Sequence, residues 1–134
     1  MSVTSTWRGP EVSAAMRRNG SALVFRAAHL HRNEAIEMIL QGQKSGRVYR
    51  RKGIVHRASA PGQPPATDLG RLIQSIAVKH EANSLTAFVI VGSRYGRMLE
   101  MGTRRMRARP FMLPSARNVR PAIDGMAARL SREG

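Results

Sequence analysis

Residues 75–91, SIAVKHEANSLTAFVIV, decide the fold class. Ser75–His80 and Leu85–Val91 flank Glu81-Ala82-Asn83-Ser84, a polar tetrapeptide suited to a hairpin turn, and the second run is rich in β-favouring residues. These are the expected central antiparallel strands. On both sides of them the apolar spacing changes from alternate positions to every third or fourth residue, the period of an amphipathic helix. The chain therefore reads as an α+β domain, with a long N-terminal helix and a C-terminal helix packed on a small antiparallel sheet.

Upstream, residues 1–9 have no periodicity and are expected to form a loose N-terminal arm. A long helix starts at Pro10. Val12, Met16, Leu23, Ala27 and Leu30 recur at helical spacings and mark its expected apolar face, continued by Ala35, Met38 and Ile39. Gly20 weakens the helix by about 1 kcal/mol relative to alanine and is a place for a bend or break. Gly42 and Gly46 stop it. Arg47–Arg51 and Ile54–Ala58 then form a basic ribbon joined by Lys52-Gly53, a pair suited to a tight hairpin turn. Three prolines keep Ser59–Ala66 out of regular structure, as an ordered loop or a flexible linker. Thr67 or Asp68 can cap a short helix carrying Leu69, Leu72 and Ile73.

Downstream of the central hairpin, Tyr95, Met98 and Leu99 mark a turn or two of helix that Gly102 ends. Arg104–Arg109 is a basic loop leading to Pro110. Pro121 can sit in the first turn of a last helix whose Ile123, Met126, Ala127 and Leu130 share one face. A start nearer Pro114 would require a kink at Pro121.

Composition narrows the function classes. With 134 residues and 42% apolar content, the chain suits one domain, residues 1–134. It carries no membrane-spanning apolar run and no signal-peptide pattern, so a soluble, unprocessed protein is expected. There is no cysteine, which removes thiol nucleophiles, disulfides and cysteine-ligated metals and suits a reducing cytoplasm. The net charge of +15 invites a nucleic-acid reading, yet the cations are scattered and only 4% of residues are aromatic, leaving few stacking platforms. No helix-turn-helix is recognisable.

Chemistry-bearing patterns are sparse. His29 and His31 stand two apart, about 200° around a helix, whereas a shared metal prefers a spacing of four. The eight carboxylates contain no paired acid and base and no metal cage. Gly92-Ser93-Arg94-Tyr95-Gly96 lies where a phosphate loop could lie but matches neither known glycine-rich pattern. The expectation is a protein that is no enzyme and holds no cofactor or metal.

The segment from Tyr95 to Pro114, YGRMLEMGTRRMRARPFMLP, resembles the siphophage neck and tail-completion family, which joins the portal side of the head to the tail. Tyr95, Gly96, Leu99, Glu100, Gly102, Thr103, Met106, Ala108, Arg109, Pro110, Phe111 and Pro114 fit its pattern. So does the Pro-rich block from Ser59 to Pro65, followed by Thr67, Gly70-Arg71-Leu72 and Ser75-Ile76. Met101 stands where an aromatic is usual, Ser115 where an alanine is, and Pro121 falls inside what is normally a continuous helix. The resemblance covers roughly residues 46–116. It implies a structural subunit at the head–tail junction of a virion, made in the bacterial cytoplasm. It also implies a cyclic homo-oligomer of six subunits to match the tail tube, contacting head-closure or portal-side proteins and the tail tube protein, with genomic DNA passing through the lumen. The rival reading is a sequence-independent DNA-binding protein.

On this reading Arg47, Tyr49, Arg50, Arg51 and Arg57 of the ribbon and Pro61 and Pro64 of the loop are expected to meet another subunit of the ring or a neighbouring protein of the assembly. Glu100 is expected to pair with Arg109 or with an arginine of a neighbour, with Arg104 and Arg105 in the same contact set. Tyr95, Leu99, Gly102, Thr103, Pro110, Phe111 and Pro114 form the expected structural motif. Within it, Tyr95 and Leu99 pack into the core, Gly102 supplies a left-handed turn, and Pro110 restrains Arg109 so that Phe111 returns against the sheet.

Overall fold

A computed structural model describes residues 2–6, 8–42, 44–66 and 70–133. Its elements are α1 (Gly9–Gln41), β1 (Val48–Arg51), β2 (Ile54–Arg57), α2 (Arg71–Gln74), β3 (Ile76–His80), β4 (Ala87–Val91), α3 (Arg94–Met101) and α4 (Met112–Glu133). This is an α+β fold with the expected order of elements. The strands form two separate antiparallel pairs, β1–β2 and β3–β4.

The β3–β4 pair sets Ile76 opposite Val91 and Val78 opposite Val89. Its turn uses Asn83 at φ 60°, a conformation that asparagine tolerates better than most residues. Ile76 joins Ala35, Ile39, Leu72, Leu99 and Phe111 in the core, which α1, α2, β3, α3 and the entry to α4 all supply. Phe88 and Ile90, on the alternate positions of β4, are exposed.

Helix α1 buries Ala35 and Ile39, as the apolar spacing marks, but its first half turns a different face inward. Its buried residues are Ser21, Ala28, Ala35 and Ile39. Met16, Leu23 and Leu30 lie roughly 180–220° around the helix from Ser21 at 100° per residue, and Val12, Met16 and Leu30 are exposed. Small side chains explain the inversion, because they let α1 approach the β3–β4 pair closely. Arg32 Nε reaches the Ile76 carbonyl at 2.8 Å, and Ser21 Oγ lies 3.1 Å from His80 Nε2, whose N–H can donate to the Ser84 carbonyl at 2.9 Å. Gly20 belongs to the same contact: α1 runs through it unbroken, and a Cβ there would stand 3.0 Å from Leu85 Cδ2.

Helix α1 begins with Pro10 in its first turn, and residues 2–6 before it are exposed and irregular. It ends at Gln41, with the Gly42 N–H donating to the Met38 carbonyl at 2.9 Å. Lys44 Nζ donates to Met38 O and Gly42 O at the same end, and burial lowers its pKa from the ordinary lysine value. The cap proposed at Thr67 or Asp68, and Leu69 with it, falls outside the described residues. Gly70, at φ 71°, occupies the N-cap position of α2.

The last helix starts nine residues before Pro121 and keeps that proline inside it. Pro121 thus breaks the expectation that it opens the helix. Its pyrrolidine removes one backbone donor in mid-helix, while the start at Met112 is secured by the contacts described next. His31 Nε2–H donates to the Met112 carbonyl at 3.0 Å, within 3.0 Å of Ser115 Oγ, and so ties α1 to the head of α4.

Candidate functional site

The segment from Tyr95 to Pro114 folds into one clamp, and Glu100 is its centre. From the last turn of α3 its carboxylate accepts the backbone N–H groups of Phe111 (2.7 Å), Met112 (2.9 Å) and Leu113 (2.9 Å). The next residue, Pro114, has no N–H to satisfy, and the Ser115 N–H donates to the Phe111 carbonyl at 3.2 Å. Every donor in the first turn of α4 is therefore matched or absent, and the carboxylate sits at the positive end of the helix dipole. Of the two expected partners, Arg109 within the chain is not the one: among the described residues no ion pair joins it to Glu100. The charge of Glu100 is spent on a helix terminus.

Arg109 has a different task. Its backbone N–H donates to the Leu99 carbonyl at 2.6 Å, and its Nη1 donates to Ser59 Oγ at 3.3 Å. Pro110 follows and holds the chain extended, so that Phe111 enters the core with 0% of its surface exposed. Leu99 is buried beside it, as expected. Tyr95 is not: it is 55% exposed, and Gly96 takes the inward position of that turn. A Cβ on Gly96 would come within 2.5 Å of Val91 Cγ1, so the close approach of α3 to β4 leaves no room for a larger residue facing inward there.

Gly102 ends α3 at φ 77° and ψ 173°, a conformation for which glycine is the natural residue though not the left-handed helical one expected. A Cβ there would also meet the Ala108 nitrogen at 2.9 Å. Thr103 starts the tight turn that follows: its N–H donates to the Met106 carbonyl at 2.8 Å and its Oγ1 accepts the Arg105 N–H at 3.3 Å. Arg104, Arg105 and Arg107 are all exposed on this turn.

The basic ribbon forms with the expected turn, Lys52 at φ 51° and Gly53 at φ 78°. Its register pairs Val48 with Arg57 and Arg50 with Val55 on one face, and Tyr49 with His56 and Arg51 with Ile54 on the other. Tyr49 and His56 stack at 5.6 Å. No residue of either strand is buried, so neither face covers a core. Arg50, Arg51 and Arg57 are exposed, as are Arg47 before the ribbon and Pro61 after it, while Pro64 is half-buried.

The Pro-rich loop is ordered. Gln63 Oε1 accepts the N–H groups of Ser45 (2.9 Å) and Ala60 (2.8 Å), and its Nε2 donates to Ser45 Oγ. The Gly46 N–H donates to the Ala58 carbonyl, and the Gly62 N–H donates to the Ala108 carbonyl at 3.0 Å. Gln63 and Ser59 escaped the reading of the sequence because glutamine and serine in a Pro-rich run carry no periodic or motif signal. The loop thus joins the ribbon to the Arg104–Arg109 turn, which lies about fifty positions further along the chain.

A third feature is an open groove between the first half of α1 and the second half of α4, lined by Asn19, Leu23, Arg26, Met126, Arg129 and Leu130. Two serines lie beside histidines, Ser21 with His80 and Ser115 with His31, but both serines are buried and each ring nitrogen also bonds a backbone carbonyl; among the described residues no three His, Asp or Glu side chains converge as metal ligands. No helix among them is long and apolar enough to cross a membrane. No protein-family model, curated protein or solved structure matches the chain.

Proposed function

We propose that this chain is a structural subunit of a tailed-phage particle, building a ring at the head–tail junction through which DNA passes. The observation that carries an assembly role is its surface. The chain exposes 9930 Å², whereas a folded monomer of 14.8 kDa is expected to expose about 7000 Å². The excess of about 3000 Å², to which the exposed irregular residues 2–6 also contribute, is of the size that obligate interfaces cover. It includes Val12, Met16, Phe88 and Ile90, all exposed large hydrophobics. Such surface is unusual on a monomer and ordinary on a subunit with neighbours.

The resemblance of residues 95–114 to the neck and tail-completion family directs the assembly to the head–tail junction. The clamp supports that reading, because Glu100, Gly102, Arg109, Pro110 and Phe111 each have a folding task there and none needs a chemical one. A ring follows from head-to-tail contacts that close on rotation, and six copies would match the tail tube. Head-closure or portal-side proteins lie on one side and the tail tube protein on the other. The test is complementation: particles made without this chain should accumulate as DNA-filled heads and separate tails that join when the purified protein is added. Normal joining without it would refute the assignment.

A further inference from the structure

We infer that the β1–β2 ribbon and the Arg104–Arg107 turn form one surface that binds the phosphate backbone of double-stranded DNA. Between Glu37 and Asp68 the sequence has no carboxylate and six cations, Lys44, Arg47, Arg50, Arg51, Lys52 and Arg57. Between Glu100 and Asp124 it again has none, and six arginines from Arg104 to Arg120. The fold brings these two acid-free stretches together. Gly62 N–H donates to the Ala108 carbonyl, and Arg109 reaches Ser59, which fastens the loop leaving the ribbon to the arginine turn. The carboxylate nearest the turn in sequence, Glu100, is consumed by the α4 amides and faces the helix terminus.

The chemistry favours phosphate over protein. Five of the eleven residues from Arg47 to Arg57 are cationic and none is acidic, a density of one sign that a row of phosphates matches. Four of the five are arginine, whose planar fork matches phosphate oxygens. Arg50 and Arg57 lie on one face of the ribbon, and both are exposed. A two-stranded ribbon is narrow enough to lie along the major groove of B-form DNA, about 12 Å wide, with its cationic face to a phosphate wall. No base-reading set accompanies these cations, so binding is sequence-independent. A second copy of this chain fits poorly as the occupant, because it carries +15 itself. The inference deepens the ring reading by naming the element that meets DNA in the lumen, and it rests on that reading for the source of the DNA alone.

The experiment measures binding of the full-length protein to a duplex of random sequence across a salt series. Two charge-reversed variants, Arg47→Glu with Arg50→Glu and Lys52→Glu, and Arg104→Glu with Arg105→Glu and Arg107→Glu, are compared with a control, Arg17→Glu with Arg18→Glu. The control residues are exposed on α1 about 35 Å from its C-terminal end, at 1.5 Å per residue. Each site variant should lose at least tenfold in affinity, and its log K against log salt slope should flatten by about 2 to 3, at about 0.9 per phosphate contact. The control should stay within about threefold. Equal losses in the control would reduce the effect to net charge and overturn the inference, as would poly-glutamate binding as tightly as DNA. Oligomer mass, measured on the same samples, separates the two readings: rings that form but ignore DNA refute this surface alone, and DNA binding by a strict monomer refutes the ring alone.

Discussion

Glu100 and Phe111 are joined by a 2.7 Å hydrogen bond from the Phe111 backbone N–H to the Glu100 carboxylate, and this one contact both starts α4 and seats the central aromatic of the core. The two residues lie eleven apart, on either side of the arginine turn. The turn is thereby held at both ends while its guanidinium groups stay exposed.

Replacing Glu100 with alanine leaves the N–H groups of Phe111, Met112 and Leu113 without their acceptor. A lost cap and a lost dipole interaction together cost about 2 to 3 kcal/mol. Glu100→Gln keeps one acceptor oxygen and should cost about half of that. Urea melts of both variants check this. An alanine variant as stable as the native protein would remove the capping role.

Phe111→Ala should destabilise by about 3 to 5 kcal/mol, a large share of the stability of a small domain. Tyr95→Ala, at the exposed position of α3, should cost under 1 kcal/mol. The contrast between the two, measured by thermal unfolding, tests which aromatic of the motif is structural.

Gly102→Ala should cost about 1 to 3 kcal/mol, since alanine would be forced into a positive φ and pressed against the Ala108 nitrogen. Gly53→Ala shares the positive φ but meets open space, and should cost about 1 kcal/mol or less. Denaturant midpoints that rank the two the other way would show that the 102–108 turn can relax.

The sequence made the order of elements, the ribbon turn at Lys52-Gly53 and the stop at Gly102 legible, because hairpin and terminator signals are local. Two features were hidden for a common reason, since both depend on residues distant in sequence. The inward face of α1 was legible at Ala35 and Ile39, but in the first half of the helix it is made of Ser21 and Ala28, which apolar spacing passes over in favour of Val12, Met16 and Leu30. Small residues face inward where another element comes close, and only the fold shows where that happens. Likewise Glu100, beside a run of arginines, invites an ion pair on charge alone; its amide partners belong to a helix whose start is masked by Pro121, a stronger local signal than Pro114. The expected site residues divide the same way: those of the motif, Tyr95 excepted, fall into one clamp, while those of the ribbon stay at the surface and cover no core.

Phe88→Asp with Ile90→Asp on the exposed face of β4 should leave the monomer folded, with unfolding midpoints within a few degrees, because these side chains contribute little to the core. On the assembly reading the same pair should weaken self-association at least tenfold in sedimentation experiments. Unaltered association would remove this face from the subunit contacts.

The central claim is that the chain is built to close into a ring, and its mass under native conditions tests that most directly. Native mass spectrometry of the purified protein, over a range of concentrations and with tail tube protein added, should find a closed species of about 89 kDa, six chains of 14.8 kDa each. A strict 14.8 kDa monomer at every concentration, with or without that partner, would contradict it.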